Sequence, residues 1–127
     1  MTTSHPPSFS LTVEAETTDL VIRVAGDLDY ETCDELMRTV DQNLTVRRTA
    51  ERRPSALRID FTALHGIDSM GLSALLMIRR HTDAAGMSLH LDERPPHLER
   101  LLEITGTLDH LTAPCHPTGA EQRPGTG

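Results

Sequence analysis

Between positions 9 and 24 apolar residues fall on every second place. Phe9, Leu11, Val13 and Ala15 alternate with polar residues; after Thr17-Thr18-Asp19 the alternation resumes with Leu20, Ile22 and Val24 as far as Gly26. A period of two puts alternate side chains on one face, so these runs are half-buried strands, joined through a turn into a hairpin. From Tyr30 the period changes. Cys33, Leu36, Met37, Val40 and Leu44 make one stripe of a helix. Thr45 to Ser55 is a connection, and Leu57, Ile59 and Phe61 form a third strand. Ser69 to Ala85 is a second helix, with Gly86 where a left-handed cap is expected. Met87, Leu89 and Leu91 give a fourth strand. Pro95 or Pro96 opens a third helix carrying Leu98, Leu101 and Leu102, which Gly106 ends. Leu108 and Leu111 pack back as a short final turn or strand. The order β-β-α-β-α-β-α describes a small α/β domain: a mixed sheet of four to five strands with helices mostly on one face.

The chain has 127 residues, enough for one domain. Residues 1–8 carry Pro6-Pro7, and residues 113–127 hold three prolines and three glycines with almost no apolar content. Neither stretch buries enough surface to offset its ordering entropy, so both are expected to be tails around a folded unit at 9–112.

Aromatic residues make up 2% of the chain, so the core is aliphatic and base-stacking platforms are excluded. The net charge is −7 and every cationic side chain is an arginine. Such a body is a poor binder of nucleic-acid backbones and of membrane surfaces. No apolar run is long enough to span a bilayer, and the N-terminus lacks the apolar stretch of a secretory signal. Cys33 and Cys115 are too few and too distant for a disulfide scaffold or zinc knuckle, which points to a reduced cytoplasmic setting. Arg47, Arg48, Arg52 and Arg53 make a basic patch in the 45–55 connection, readable as a solvated loop or a docking element.

The informative stretch is Leu57 to Leu76. A buried strand runs through a short loop into Asp68-Ser69 at the mouth of an amphipathic helix, where either residue can cap the free N–H groups. Gly71 has no side chain, so another surface could come close there. Capping alone explains an Asp-Ser pair before an apolar run. The combination says more: Asp27 to Asp29 lie in the loop after the second strand, and Asp68 to Leu72 follow the third. If those strands are parallel, both loops lie at one end and share a patch. On the second helix Met70 is expected near the surface, where flexible thioethers suit an adaptable docking face, and Met77 either joins it there or fills core.

Gly26-Asp27-Leu28-Asp29, then a helix, then Leu57 to Phe61, then Ile67-Asp68-Ser69-Met70-Gly71-Leu72 with Leu75-Leu76, resembles the STAS domain, and more narrowly the bacterial anti-sigma factor antagonists. Leu101-Leu102-Glu103-Ile104-Thr105-Gly106 fits that family's third helix and closing glycine. The resemblance implies a partner-switching regulator that binds an anti-sigma factor serine kinase and so frees a sigma factor. The kinase phosphorylates the serine of this turn, here Ser69, and binding is lost until a serine phosphatase restores it. The implied partner surface is Asp27, Asp29, Asp68, Ser69, Met70 and Gly71, with Met77 on the exposed side of the helix. No cofactor, metal, nucleic acid or membrane is implied, and the oligomeric state is left between monomer and weak dimer. The sequence departs from the family's pattern at Met70, where a second small polar residue is common. It also has a longer, more basic 45–55 connection and no clear final amphipathic helix.

Other chemistries fit less well. A serine hydrolase built on Ser69, Asp68 and a histidine such as His65 lacks the Gly-x-Ser-x-Gly elbow, and adjacent helical residues do not face each other. His81, His90, His97, His110 and His116 have no acidic or thiol partners at ligand spacing on one face. No glycine-rich phosphate loop follows a strand. A non-phosphorylated STAS scaffold or sensor is the alternative within the family.

Overall fold

The computed structural model describes residues 9–48 and 54–113. Strands β1 (Phe9–Ala15) and β2 (Asp19–Leu28) form the expected hairpin. Helix α1 (Cys33–Arg48), strand β3 (Ala56–Ile67), helix α2 (Ser69–Ala84), strand β4 (Ser88–Asp92) and helices α3 (Pro96–Thr105) and α4 (Leu108–Thr112) follow. The four strands lie in the order β1-β2-β3-β4. β1 runs antiparallel to β2, whereas β2, β3 and β4 are mutually parallel.

The sheet has one dry face. Leu20, Ile22 and Val24 of β2, Leu57, Ile59 and Phe61 of β3, and Leu89 and Leu91 of β4 project into a single core. The same core takes Leu36, Val40 and Leu44 from α1, Leu72, Leu75 and Ile78 from α2, Leu98 and Leu102 from α3, and Leu111 from α4. Burying that apolar set, aliphatic but for Phe61, is what holds the helices to the sheet. The other face is charged. Arg23 sits between Glu14 at 3.0 Å and Asp60 at 3.5 Å. Arg58 sits between Asp19 at 2.7 Å and Asp92 at 3.1 Å. Each arginine thus bridges neighbours across strands, and the alternation of the sequence is the alternation of these two faces.

Several boundaries differ from the sequence reading. β2 does not end at Gly26: its register shifts there and pairing continues to Leu28, so Asp27 lies in the strand and not in the loop. β3 likewise continues past Phe61 to Ile67, which puts His65 in an exposed strand position, because β2 keeps a pairing edge available along its whole length. α1 runs on to Arg48, so Arg47 and Arg48 belong to the helix. Arg52 and Arg53 lie outside the described residues, as do residues 1–8 and 114–127 of the expected tails. The segment at Leu108 and Leu111 is a one-turn helix, not a strand. Pro96 opens α3; Gly86 adopts the left-handed cap expected of it at φ 72°, and Gly106, which ends α3, is left-handed too at φ 73°. Arg79 of α2 is 2% exposed; it pairs with Asp83 at 3.0 Å and donates to the Ala113 carbonyl at 2.7 Å, fixing the chain after α4.

Candidate functional site

Parallel pairing of β2 and β3 brings their C-terminal ends to the same edge. Asp27 is in register with Gly66, and Leu28 with Ile67. The turn after β2 and the start of α2 are therefore neighbours, as the sequence reading required.

Asp68 is the N-cap of α2. One carboxylate oxygen accepts the Gly71 N–H at 2.9 Å and the other accepts the Tyr30 N–H at 3.3 Å. The Asp68 N–H donates to the Leu28 carbonyl at 3.1 Å. A helix leaves its first N–H groups without intrahelical acceptors. With those of Asp68 and Gly71 used, the N–H groups of Ser69 and Met70 remain at the positive end of the helix dipole. Ser69, the first helical residue, is exposed, and its hydroxyl makes no hydrogen bond among the described residues.

Gly71 is buried, and the surface close to it is the protein's own. A Cβ there would stand 2.4 Å from the Leu28 carbonyl oxygen and 2.9 Å from Ile67 Cγ1. The glycine lets β2 pass against the first turn of α2, so the close approach expected there is made by the protein's own strand. Asp29 is also turned inward. Its Oδ1 accepts the Glu31 and Thr32 N–H groups at 2.9 and 3.2 Å, while the Asp29 N–H donates to Thr32 Oγ1 at 2.9 Å. This reciprocal cap starts the turn into α1. Asp29 is thus a half-buried positioning residue and not a free acid on the surface.

The exposed rim is formed by Asp27, Tyr30, Asp68, Ser69, Met70 and Met77. Met70 is 48% and Met77 41% exposed, which decides for the surface reading of both. Tyr30 is 66% exposed beside the Asp68 cap, a rim position that the hydrophobic periodicity does not reveal. Its signal was available: it is the chain's one tyrosine and directly follows Gly-Asp-Leu-Asp. Cys33 is buried at the foot of α1, and burial pushes its thiol up from the ordinary range, so it stays protonated. His81 meets Asp41 at 2.8 Å, tying α2 to α1 away from the serine. Among the described residues no three His, Cys, Asp or Glu side chains gather as a metal group, and no helix is long and apolar enough to cross a membrane.

The STAS domain profile matches residues 10–121. The chain belongs to the STAS domain family. A crystal structure of an anti-sigma factor antagonist from Mycobacterium paratuberculosis is similar at 26% identity and TM-score 0.67, covering 87% of this chain and 88% of that one. The Bacillus cell fate determinant SpoIIAA in its phosphorylated form shares the fold at 18% identity and TM-score 0.60, over 76% and 84% of the two chains. So does a sulfate transporter family protein from Wolinella succinogenes, at 20% identity and TM-score 0.57, over 72% and 69%. No curated protein sequence matches significantly. The STAS fold explains the arrangement of the site: a parallel β2–β3 pair whose ends deliver one loop and one helix mouth to the same rim.

Proposed function

We propose that this STAS domain is an anti-sigma factor antagonist of the cytoplasm that works by partner switching, with Ser69 as its phosphoacceptor. It binds an anti-sigma factor serine kinase through the rim of Asp27, Asp68, Ser69, Met70 and Met77. Phosphorylation of Ser69 releases it, and a serine phosphatase restores binding. The domain acts by binding and not by catalysis, and the nucleotide belongs to the kinase. The observation that carries this reading is the uncommitted Ser69 hydroxyl, presented in water at the mouth of α2 beside the turn after β2. The similarity to the mycobacterial antagonist points the same way.

The physics of the switch follows from position. A phosphoserine carries about −1.5 to −2 charges at neutral pH. At Ser69 the free N–H groups and the dipole of α2 favour that charge locally, so the domain keeps its fold. The cost falls on the complex, because burying a doubly charged group against an unprepared surface costs several kcal/mol. Each 1.4 kcal/mol is about tenfold in affinity, so a loss of two or three powers of ten is within reach. The carboxylates of Asp27 and Asp68 add repulsion toward an acidic partner.

The test is incubation with ATP and a kinase-containing cytosolic fraction from the source cell, read by intact mass. A gain of one phosphate that disappears in Ser69→Ala supports the reading. Unmodified protein that still captures the kinase would leave a non-phosphorylated scaffold in its place. Hydrolysis of simple esters, lost in the same variant, would replace it with an enzyme.

A further inference from the structure

Four methionines fall within the described residues, and the fold divides them. Met87 is buried at 6% exposure and Met37 is half-buried, whereas Met70 and Met77 stand well into solvent. The two exposed ones are seven residues apart on α2, two helical turns, and so lie on one stripe. Exposed Ser73 lies between them on that stripe, and Ser69 directly precedes Met70. Arg80 Nη1 lies 3.9 Å from the Met77 sulfur, already aimed at it as a donor.

We propose that Met70 and Met77 are reversible oxidation sites, and that their sulfoxides slow modification of Ser69. The second clause rests on the partner-switching reading; the first does not. The oxidant is a peroxide. A thioether sulfur lone pair attacks one peroxide oxygen, an S–O bond forms as the O–O bond breaks, and the departing oxygen leaves as water once protonated. Sulfur loses two electrons and the peroxide gains them. A thiol-dependent sulfoxide reductase reverses the step.

Sulfoxidation turns a flexible apolar side chain into a polar one with a strong acceptor oxygen. At Met77 that oxygen has a donor waiting in Arg80, which would hold the sulfoxide in place on the stripe. At Met70 it stands next to the acceptor serine. An enzyme reaching Ser69 has to cover Met70, and its apolar contact with this stripe would then have to desolvate one or two S–O dipoles. Nothing buried in the domain is touched, so the fold is expected to survive the change.

The test is graded hydrogen peroxide treatment of the whole chain, quenching, and fragment mass mapping with circular dichroism in parallel. Met70 and Met77 are expected to gain one oxygen each before Met37, and Met87 last, with an unchanged spectrum. Oxidation of Met87 in step with Met70 overturns the site assignment. Quenched protein then goes to the ATP-supplemented cytosolic fraction, and phosphate incorporation is timed. Oxidised protein should be slowed about tenfold or more, the change set by roughly 1.4 kcal/mol of lost docking. Met70→Gln/Met77→Gln should be slow without oxidant, and Met70→Leu/Met77→Leu, which has no thioether on the stripe, should show the same rate before and after peroxide treatment. Equal rates for oxidised and untreated protein overturn the consequence. Untreated protein that takes no phosphate overturns the Ser69 reading and the consequence with it, while the oxygen map still decides the oxidation site.

Discussion

The carboxylate of Asp68 reaches back to the backbone N–H of Tyr30, 3.3 Å away and 38 residues earlier in the chain. Its other oxygen holds the Gly71 N–H at 2.9 Å. One side chain therefore caps α2 and ties it to the turn after β2. This bridge acts together with the Leu28–Ile67 pairing of β2 and β3 at the same end of the sheet.

Asp68→Ala removes both bonds. Loss of an N-cap costs about 0.5–2 kcal/mol, and the second bond puts this case in the upper half of that range. Asp68→Asn keeps an acceptor for Gly71 and should fall between. Urea midpoints of the three proteins check the order, and an Ala variant as stable as wild type would show that the bridge holds nothing.

Gly71→Ala and Gly66→Ala should separate sharply. The new methyl at position 71 meets the Leu28 carbonyl at 2.4 Å, backbone that β2–β3 pairing holds in place. Overpacking of that kind costs about 1–3 kcal/mol, and a backbone obstacle puts it at the top of the range. At position 66 the nearest atom is Asp27 Oδ1 at 3.2 Å, the end of an exposed side chain that can swing away. Its cost should stay near the 0.5 kcal/mol typical of surface changes. Equal losses in thermal unfolding would refute the distinction.

The contrast shows what a reading of the chain alone can reach. Alternation located β1, β2 and β4, and the 3.6 period located α1, α2 and α3, because each element packs on one apolar face and its sequence records which. The ends of β2 and β3 were not legible. Asp27, Leu28 and Thr62 to Ile67 break the alternation, and what keeps these stretches in strands is the pairing of Ala25 to Leu28 with Ala63 to Ile67 across the sheet. For the same reason Gly71 looked like an opening to a partner: the Leu28 carbonyl that fills the space is 43 residues away in sequence. Asp29 looked like a free acid until its cap on Glu31 and Thr32 was in view. Arg79 carried no sequence signal at all, since an arginine on an amphipathic helix usually reaches water.

Ser69→Asp should leave the domain folded. A negative charge at a helix N-terminus contributes about 0.3–1 kcal/mol, and the adjacent Asp68 carboxylate offsets part of it. The urea midpoint is therefore expected to match wild type or exceed it slightly. A clear loss of stability would mean that release of a partner by this variant reports unfolding and not charge.

The charged face of the sheet sets the acid response. Hydrogen bonding from Arg58 holds the Asp19 carboxyl below its ordinary range. The Thr62 hydroxyl does the same for Asp60, with Arg23 adding to it. A carboxyl whose folded pKa is lowered binds its proton more readily in the unfolded chain. The stability it contributes is complete above its unfolded pKa, close to about 4. It is lost as the pH falls from there through the lower folded value. Arg58→Met removes the cause at Asp19 and leaves Thr62 on Asp60. Because Arg58 is partly open to water, the variant should lose only about 1 kcal/mol near neutral pH. That difference should shrink below pH ~4 as wild-type Asp19 takes up its proton. Added salt should shrink it too, by screening. Urea midpoints followed from pH 7 downward for both proteins give the answer. A gap that stays constant to the lowest pH at which both fold would mean that Arg58 acts through packing of its stem, and that its charge on Asp19 contributes nothing.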